Sequence, residues 1–147
     1  ATKVGAILWE KDAKHKEALE FYGKNIGLTF QIADDALDYN SDLNSFGKEI
    51  GNDFFEGKIT LPIILLYQKT SNAEKTMLKI LFNKNKREKE ELNYVINLIK
   101  KNNIIKDCYR KADHFINLAS NALSVFEDSE EKKILKNLTT FSIERNF

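Results

Sequence analysis

Chain breakers are scarce here, and that constrains the fold more than any other feature. One proline and six glycines are spread through 147 residues, and four of those glycines fall between Gly23 and Gly51. Glycine and proline are the residues that most disfavour a helix interior, so most of the chain has nothing to stop one. An all-α fold follows. From about Lys14 to Asp38, Leu19, Tyr22, Ile26, Ala33 and Leu37 recur at spacings of three, four or seven, which predicts one long helix with a buried stripe. Such a helix measures about 37 Å.

The pattern dissolves between Tyr39 and Thr60 into Asn, Ser, Asp and Gly, predicting an irregular connection with one helical turn near Phe54. Pro62 suits a first helical turn, where its missing N–H is not needed, so a short buried helix is expected over about Pro62–Gln68. Further helices are expected over about Asn72–Phe82, Arg87–Lys101, Ile104–Phe126 and Glu130–Arg145. Leu92, Val95, Ile96 and Ile99 form one of their apolar stripes. The run Asn83–Glu91 reads as a solvated turn and helix start. We read 1–147 as a single domain without internal repeats.

Composition excludes several classes of function. A hydrophobic fraction of 42% with 31% charged residues is that of a globular chain rather than a disordered one. With 23 basic against 22 acidic residues, there is no electrostatic footprint for nucleic acid. The longest apolar run, Leu61–Tyr67, is far short of the roughly 20 residues that span a bilayer. Cys108 is the single cysteine, which removes any internal disulfide or thiolate zinc site and suits a reducing, cytoplasmic setting. His15 and His114 lack ligand partners at helical spacing and read as surface or packing residues. The start, Ala1 to Trp9, has neither a methionine nor the layout of a signal peptide and reads as a cut edge.

The chemistry concentrates at one helix end. On a helix Asp34 and Asp38 lie one turn apart, with Asp35 beside them and Gln31 a turn earlier. Two such charges about 6 Å apart repel by about 3 kcal/mol at an effective dielectric near 20, and by a few tenths when fully exposed. The helix dipole adds to the cost at a C-terminus. A positive partner is therefore expected, and oxygen-only ligands favour a hard cation such as Mg²⁺. An exposed acidic helix end without a ligand is the alternative. Lys48 and Lys58 follow on a glycine-rich stretch, Gly47-Lys48-Glu49-Ile50-Gly51 and Glu56-Gly57-Lys58-Ile59-Thr60. Carboxylates, lysines and glycine-exposed N–H groups together match a metal-bound diphosphate. Asp38, Asn40, Asp42, Asn44 and Glu49 also fit positions of an EF-hand calcium loop, but Leu43 stands where that loop needs glycine.

Phe30-Gln31-Ile32-Ala33-Asp34-Asp35-Ala36-Leu37-Asp38-Tyr39, then Gly47-Lys48, Gly51-Asn52-Asp53 and Glu56-Gly57-Lys58-Ile59-Thr60-Leu61-Pro62, resembles the second aspartate-rich motif and downstream loop of the trans-polyprenyl diphosphate synthases. Tyr22-Gly23-x-x-x-Gly27 matches too, and long-chain members such as octaprenyl diphosphate synthase are nearest in pattern. The resemblance implies a helical bundle of the isoprenoid synthase type, here without its N-terminal half. It implies condensation of an allylic prenyl diphosphate with isopentenyl diphosphate, with release of pyrophosphate, for quinone side chains. By the same resemblance, Asp34 and Asp38 hold Mg²⁺ on the allylic diphosphate with Asp35 in support. Lys48 and Lys58 contact that diphosphate, Phe30 and Gln31 line the place where the substrates meet, and Asp53 orders the loop. The full-length protein is expected to be a homodimer. The first aspartate-rich motif is absent, so a non-catalytic subunit of a heteromeric synthase is a second reading, and a terpene cyclase fits the metal chemistry but not the Gly-Lys loop. Gly23 and Gly27 imply a close helix approach within a soluble bundle.

Overall fold

The structure, a computed structural model, describes residues 12–40 and 50–144, with side chains described to Thr139. All regular structure among these residues is helical. The helices are α1 (Ala13–Leu37), α2 (Asn52–Glu56), α3 (Leu61–Lys69), α4 (Asn72–Phe82), α5 (Lys89–Lys101), α6 (Ile104–Ala122) and α7 (Glu130–Glu144), with a 3-10 turn at Leu123–Val125. They fall where the apolar spacing places them, and α2 is the helical turn expected near Phe54. None among the described residues is long and apolar enough to cross a membrane.

The chain divides into two compact units, Ala1–Ala33 with Arg110–Phe147, and Asp34–Tyr109. In the first, Tyr22, Ala119 and Leu123 form a buried cluster flanked by Leu19, Ile26, Ala122, Phe126 and Leu135. The phenol of Tyr22 donates to the carbonyl of Leu135 at 2.9 Å, so a buried aromatic fills the core without leaving its hydroxyl unpaired. Thr29 is fully buried on the same helix and returns its hydroxyl to the Asn25 carbonyl at 3.0 Å.

The expected close approach at Gly27 is not found. A β-carbon built there meets nothing within 4 Å, and Gly27 is exposed, on a stretch of α1 that also exposes Phe21 and Leu28. Among the described residues nothing lies within 4 Å of that position, so there the glycine spares no clash.

In the second unit α3 packs against both α4 and α5. Thr60 caps α3 in an extended conformation and Pro62 occupies the first turn, buried, as its missing N–H allows. Ser71 opens α4 with a capping box. Its hydroxyl accepts from the N–H of Glu74 at 3.4 Å, while Glu74 accepts from the N–H of Ser71 at 2.9 Å. Helix α5 begins at Lys89 rather than at the expected Arg87, because Glu88 takes the cap with an extended backbone and donates its N–H to Glu91 at 2.9 Å. That leaves Arg87 outside the helix.

Candidate diphosphate and metal site

The end of α1 splits its carboxylates. Asp34 is exposed, whereas Asp35 and Asp38 are each only 8% exposed. Asp38 stands just past the helix and turns its carboxylate to α2. Its two oxygens accept from the N–H groups of Asn52 at 3.2 Å and Asp53 at 2.9 Å, and its carbonyl accepts from Gly51 N–H at 2.8 Å. The residue at the start of α2 is Gly51, at φ +86°, which has no side chain to cap with. A carboxylate 14 residues before Asn52 does that work, and a negative group suits the N–H end of a helix. The end of α1 is thereby fastened to the loop that follows it.

Asp53 lies at the centre of that loop. Its N–H goes to Asp38, its carbonyl accepts from Lys58 N–H at 2.9 Å, and its carboxylate accepts from Lys58 Nζ at 3.2 Å. Lys58 also pairs with Glu56 at 2.6 Å. These two carboxylates, Glu56 first, hold the exposed ammonium above its ordinary pKa, so it stays charged. Gly57 ends α2 at φ +75°, a left-handed conformation that glycine takes without penalty.

Tyr39 is 1% exposed, and its hydroxyl has no hydrogen-bond partner among the described residues. Burial raises its pKa far above the ordinary range, the charges of Asp38, Asp53 and Asp35 raise it further, and Arg87 opposes them.

Phe30 and Gln31 are exposed on α1, Phe30 by 39%, and belong to the first compact unit, whereas Asp34 begins the second. Lys48 lies outside the described residues, as do Asp42, Asn44 and Glu49 of the calcium-loop pattern. Among the described residues no three His, Cys, Asp or Glu side chains group closely enough to hold an ion. The donors present fit Mg²⁺ in its commoner mode, with one or two carboxylates and the remaining positions taken by phosphate oxygens and water. Exposed Asp34 has the hard oxygen donors for that, and Asp38 already spends part of its acceptor capacity on α2.

Sequence reasoning missed Arg87, which the charged run Asn83–Glu91 concealed. The neighbours from Asn83 to Lys86 and from Glu88 to Glu90 are exposed, but Arg87 is 8% exposed. The local signal was weak: one arginine placed before the helix cap in a lysine-rich run.

A family model for polyprenyl synthetase matches residues 1–99. The chain belongs to the polyprenyl synthetase family. It is 32% identical over 145 residues to an all-trans-nonaprenyl-diphosphate synthase (geranyl-diphosphate specific) of Rhodobacter capsulatus, covering 99% of this chain and 44% of that one. It is 29% identical to heptaprenyl diphosphate synthase component 2 of Bacillus subtilis, covering 99% of this chain and 40% of the relative. Among solved structures, a polyprenyl synthase of Caulobacter crescentus complexed with calcium and isoprenyl diphosphate superposes with a TM-score of 0.86 at 30% identity, over 99% of this chain and 44% of that one. This polyprenyl synthetase chain thus spans less than half the length of these relatives. The all-helical fold expected from the scarcity of breakers is the fold they share.

Proposed function

We propose that this chain, acting as one domain over 1–147, supplies the second aspartate-rich, diphosphate-binding half of a prenyltransferase. The overall reaction is condensation of an allylic prenyl diphosphate with isopentenyl diphosphate. The allylic C–O bond breaks, pyrophosphate leaves with the electron pair, the double bond of isopentenyl diphosphate attacks the cationic carbon, and a proton is lost. The observation that carries this reading is the bond from Asp38 to the N–H groups of α2. It ties exposed Asp34 to the loop that presents Lys58, so acidic and cationic groups of one motif share one framework.

Asp34, with support from Asp35 and Asp38, would hold Mg²⁺, which supplies charge neutralisation for the departing pyrophosphate. Lys58, and Lys48 with it, contact the diphosphate oxygens, and Phe30 and Gln31 line the approach of the second substrate. The carboxylates act as holders of charge rather than as general acids. A relative complexed with calcium and isoprenyl diphosphate supports a divalent cation on this framework. In its full-length, homodimeric form the protein would serve quinone side-chain synthesis in the cytoplasm.

Calorimetry tests the site directly. Inorganic diphosphate is expected to bind in the presence of Mg²⁺ and not in its absence, and Asp34→Ala is expected to weaken that binding by about tenfold or more, the scale of losing one charge-assisted contact. Ca²⁺ binding without diphosphate would favour the calcium-loop reading instead. Absence of diphosphate binding with Mg²⁺ present sinks the proposal. Similarity to a protein named as a component of heptaprenyl diphosphate synthase favours, as a second reading, a subunit that completes a site with another polypeptide. Copurification of a complementary helical subunit would distinguish the two.

A further inference from the structure

We infer that Arg87 is a positioning residue for the Gly57-Lys58 turn, acting on the diphosphate contact through the backbone that carries Lys58. Its guanidinium is buried and donates to three main-chain carbonyls. Nε donates to Leu81 at 3.0 Å, Nη2 to Phe82 at 2.6 Å and Nη1 to Phe55 at 3.3 Å. Leu81 and Phe82 close α4, and Phe55 lies in the last turn of α2, where helix carbonyls lack internal partners and carry partial negative charge. One planar fork therefore joins the C-terminal ends of two helices. The group also lies within cation–π reach of two rings, with its carbon 5.9 Å from the Phe54 ring centre and 5.6 Å from that of Phe82. The two rings meet edge to face at 5.5 Å. A lysine cannot reproduce this, because an ammonium has neither the fixed fork nor the flat face.

The turn is built around this group. A β-carbon on Gly57 would lie 2.6 Å from Nη2 and 2.9 Å from Nη1, so the absence of a side chain lets the guanidinium lie against the backbone. The next residue is Lys58, whose N–H and ammonium both bond to Asp53, and Asp53 in turn donates its N–H to Asp38. Arg87 thus stands at one end of a continuous series of contacts that ends on the aspartate-rich end of α1. Its charge also opposes the carboxylates of Asp35, Asp38 and Asp53 around Tyr39.

The consequence for diphosphate rests on the reading of Lys58 given under Proposed function, so the test has two arms. In the first, amide hydrogen exchange is measured on the whole chain. Arg87→Lys is expected to speed exchange at Gly57 and Lys58 by about tenfold, the worth of one charge-assisted bond, while Val95 and Ile99 in α5 keep their protection. Unchanged exchange at the turn, or equal loosening of every helix, overturns the inference. If the variant does not fold, the Nε–H of Arg87 in the unaltered chain decides. Slow exchange in step with Gly57 supports the role, and fast exchange refutes it. In the second arm, Mg²⁺-dependent binding of inorganic diphosphate is measured for Arg87→Lys, Lys58→Gln and the double variant. A double variant no weaker than Lys58→Gln alone shows that Arg87 acts through Lys58, and additive losses overturn that route. If the unaltered chain binds no diphosphate, the functional reading falls and the exchange arm still decides what Arg87 does.

Discussion

Asp34 and Asp38 are four positions apart in one motif and do different physical work. Asp34 faces water, whereas Asp38 receives two N–H groups from the start of α2. Replacing Asp38 by alanine should leave those groups uncapped and cost about 1–2 kcal/mol, as loss of a helix cap does. Urea unfolding of Asp38→Ala beside Asp34→Ala checks this, with little change expected for exposed Asp34. Tyr39 presents the opposite case. Its buried hydroxyl has no partner among the described residues and sits among three carboxylates, so Tyr39→Phe removes a desolvated polar group while keeping the ring. The variant is expected to be as stable as the unaltered protein or more stable by up to about 1 kcal/mol. A loss of more than that would show that the hydroxyl is satisfied.

Helix α1 carries a glycine that stability does not require. The site of Gly27 is open, its backbone is helical, and alanine favours a helix over glycine by about 1 kcal/mol. Gly27→Ala should raise the thermal midpoint of this chain, and a drop would reveal a neighbour on that side. At the start of α4 the capping box titrates. Glu74 accepts from the N–H and hydroxyl of Ser71 and from Lys101, which lower its pKa from 4.5 to about 2, the backbone bond contributing most. A carboxylate whose folded pKa is depressed stabilises the fold above its unfolded pKa. Its contribution should therefore be intact above about pH 4.5 and disappear as pH falls toward about 2. Unfolding midpoints for the unaltered chain and Glu74→Gln should differ at pH 6 and converge near pH 2.

For the whole molecule, the relatives set the frame. A chain that aligns along nearly its whole length yet spans 44% of a nonaprenyl synthase carries one aspartate-rich motif and its loop. We expect this polypeptide alone, given Mg²⁺, an allylic diphosphate and isopentenyl diphosphate, to release no measurable pyrophosphate. Turnover by the isolated chain would mean that one motif suffices. The helices were legible in the sequence because their causes are local: few breakers, apolar positions at helical spacing, Pro62 in a first turn, and Ser71 with Glu74 three residues on. The aspartates, Gly57 and Lys58 were legible as a pattern for a related reason, since residue types and short spacings carry the chemistry. The partners of those groups were not legible. Asp38 reaches α2 across 14 and 15 residues, and Arg87 reaches Phe55 across 32. Such contacts depend on how helices pack, so only the tertiary structure distinguishes an exposed aspartate from a capping one. The same packing turns one arginine of a charged run into a buried clamp.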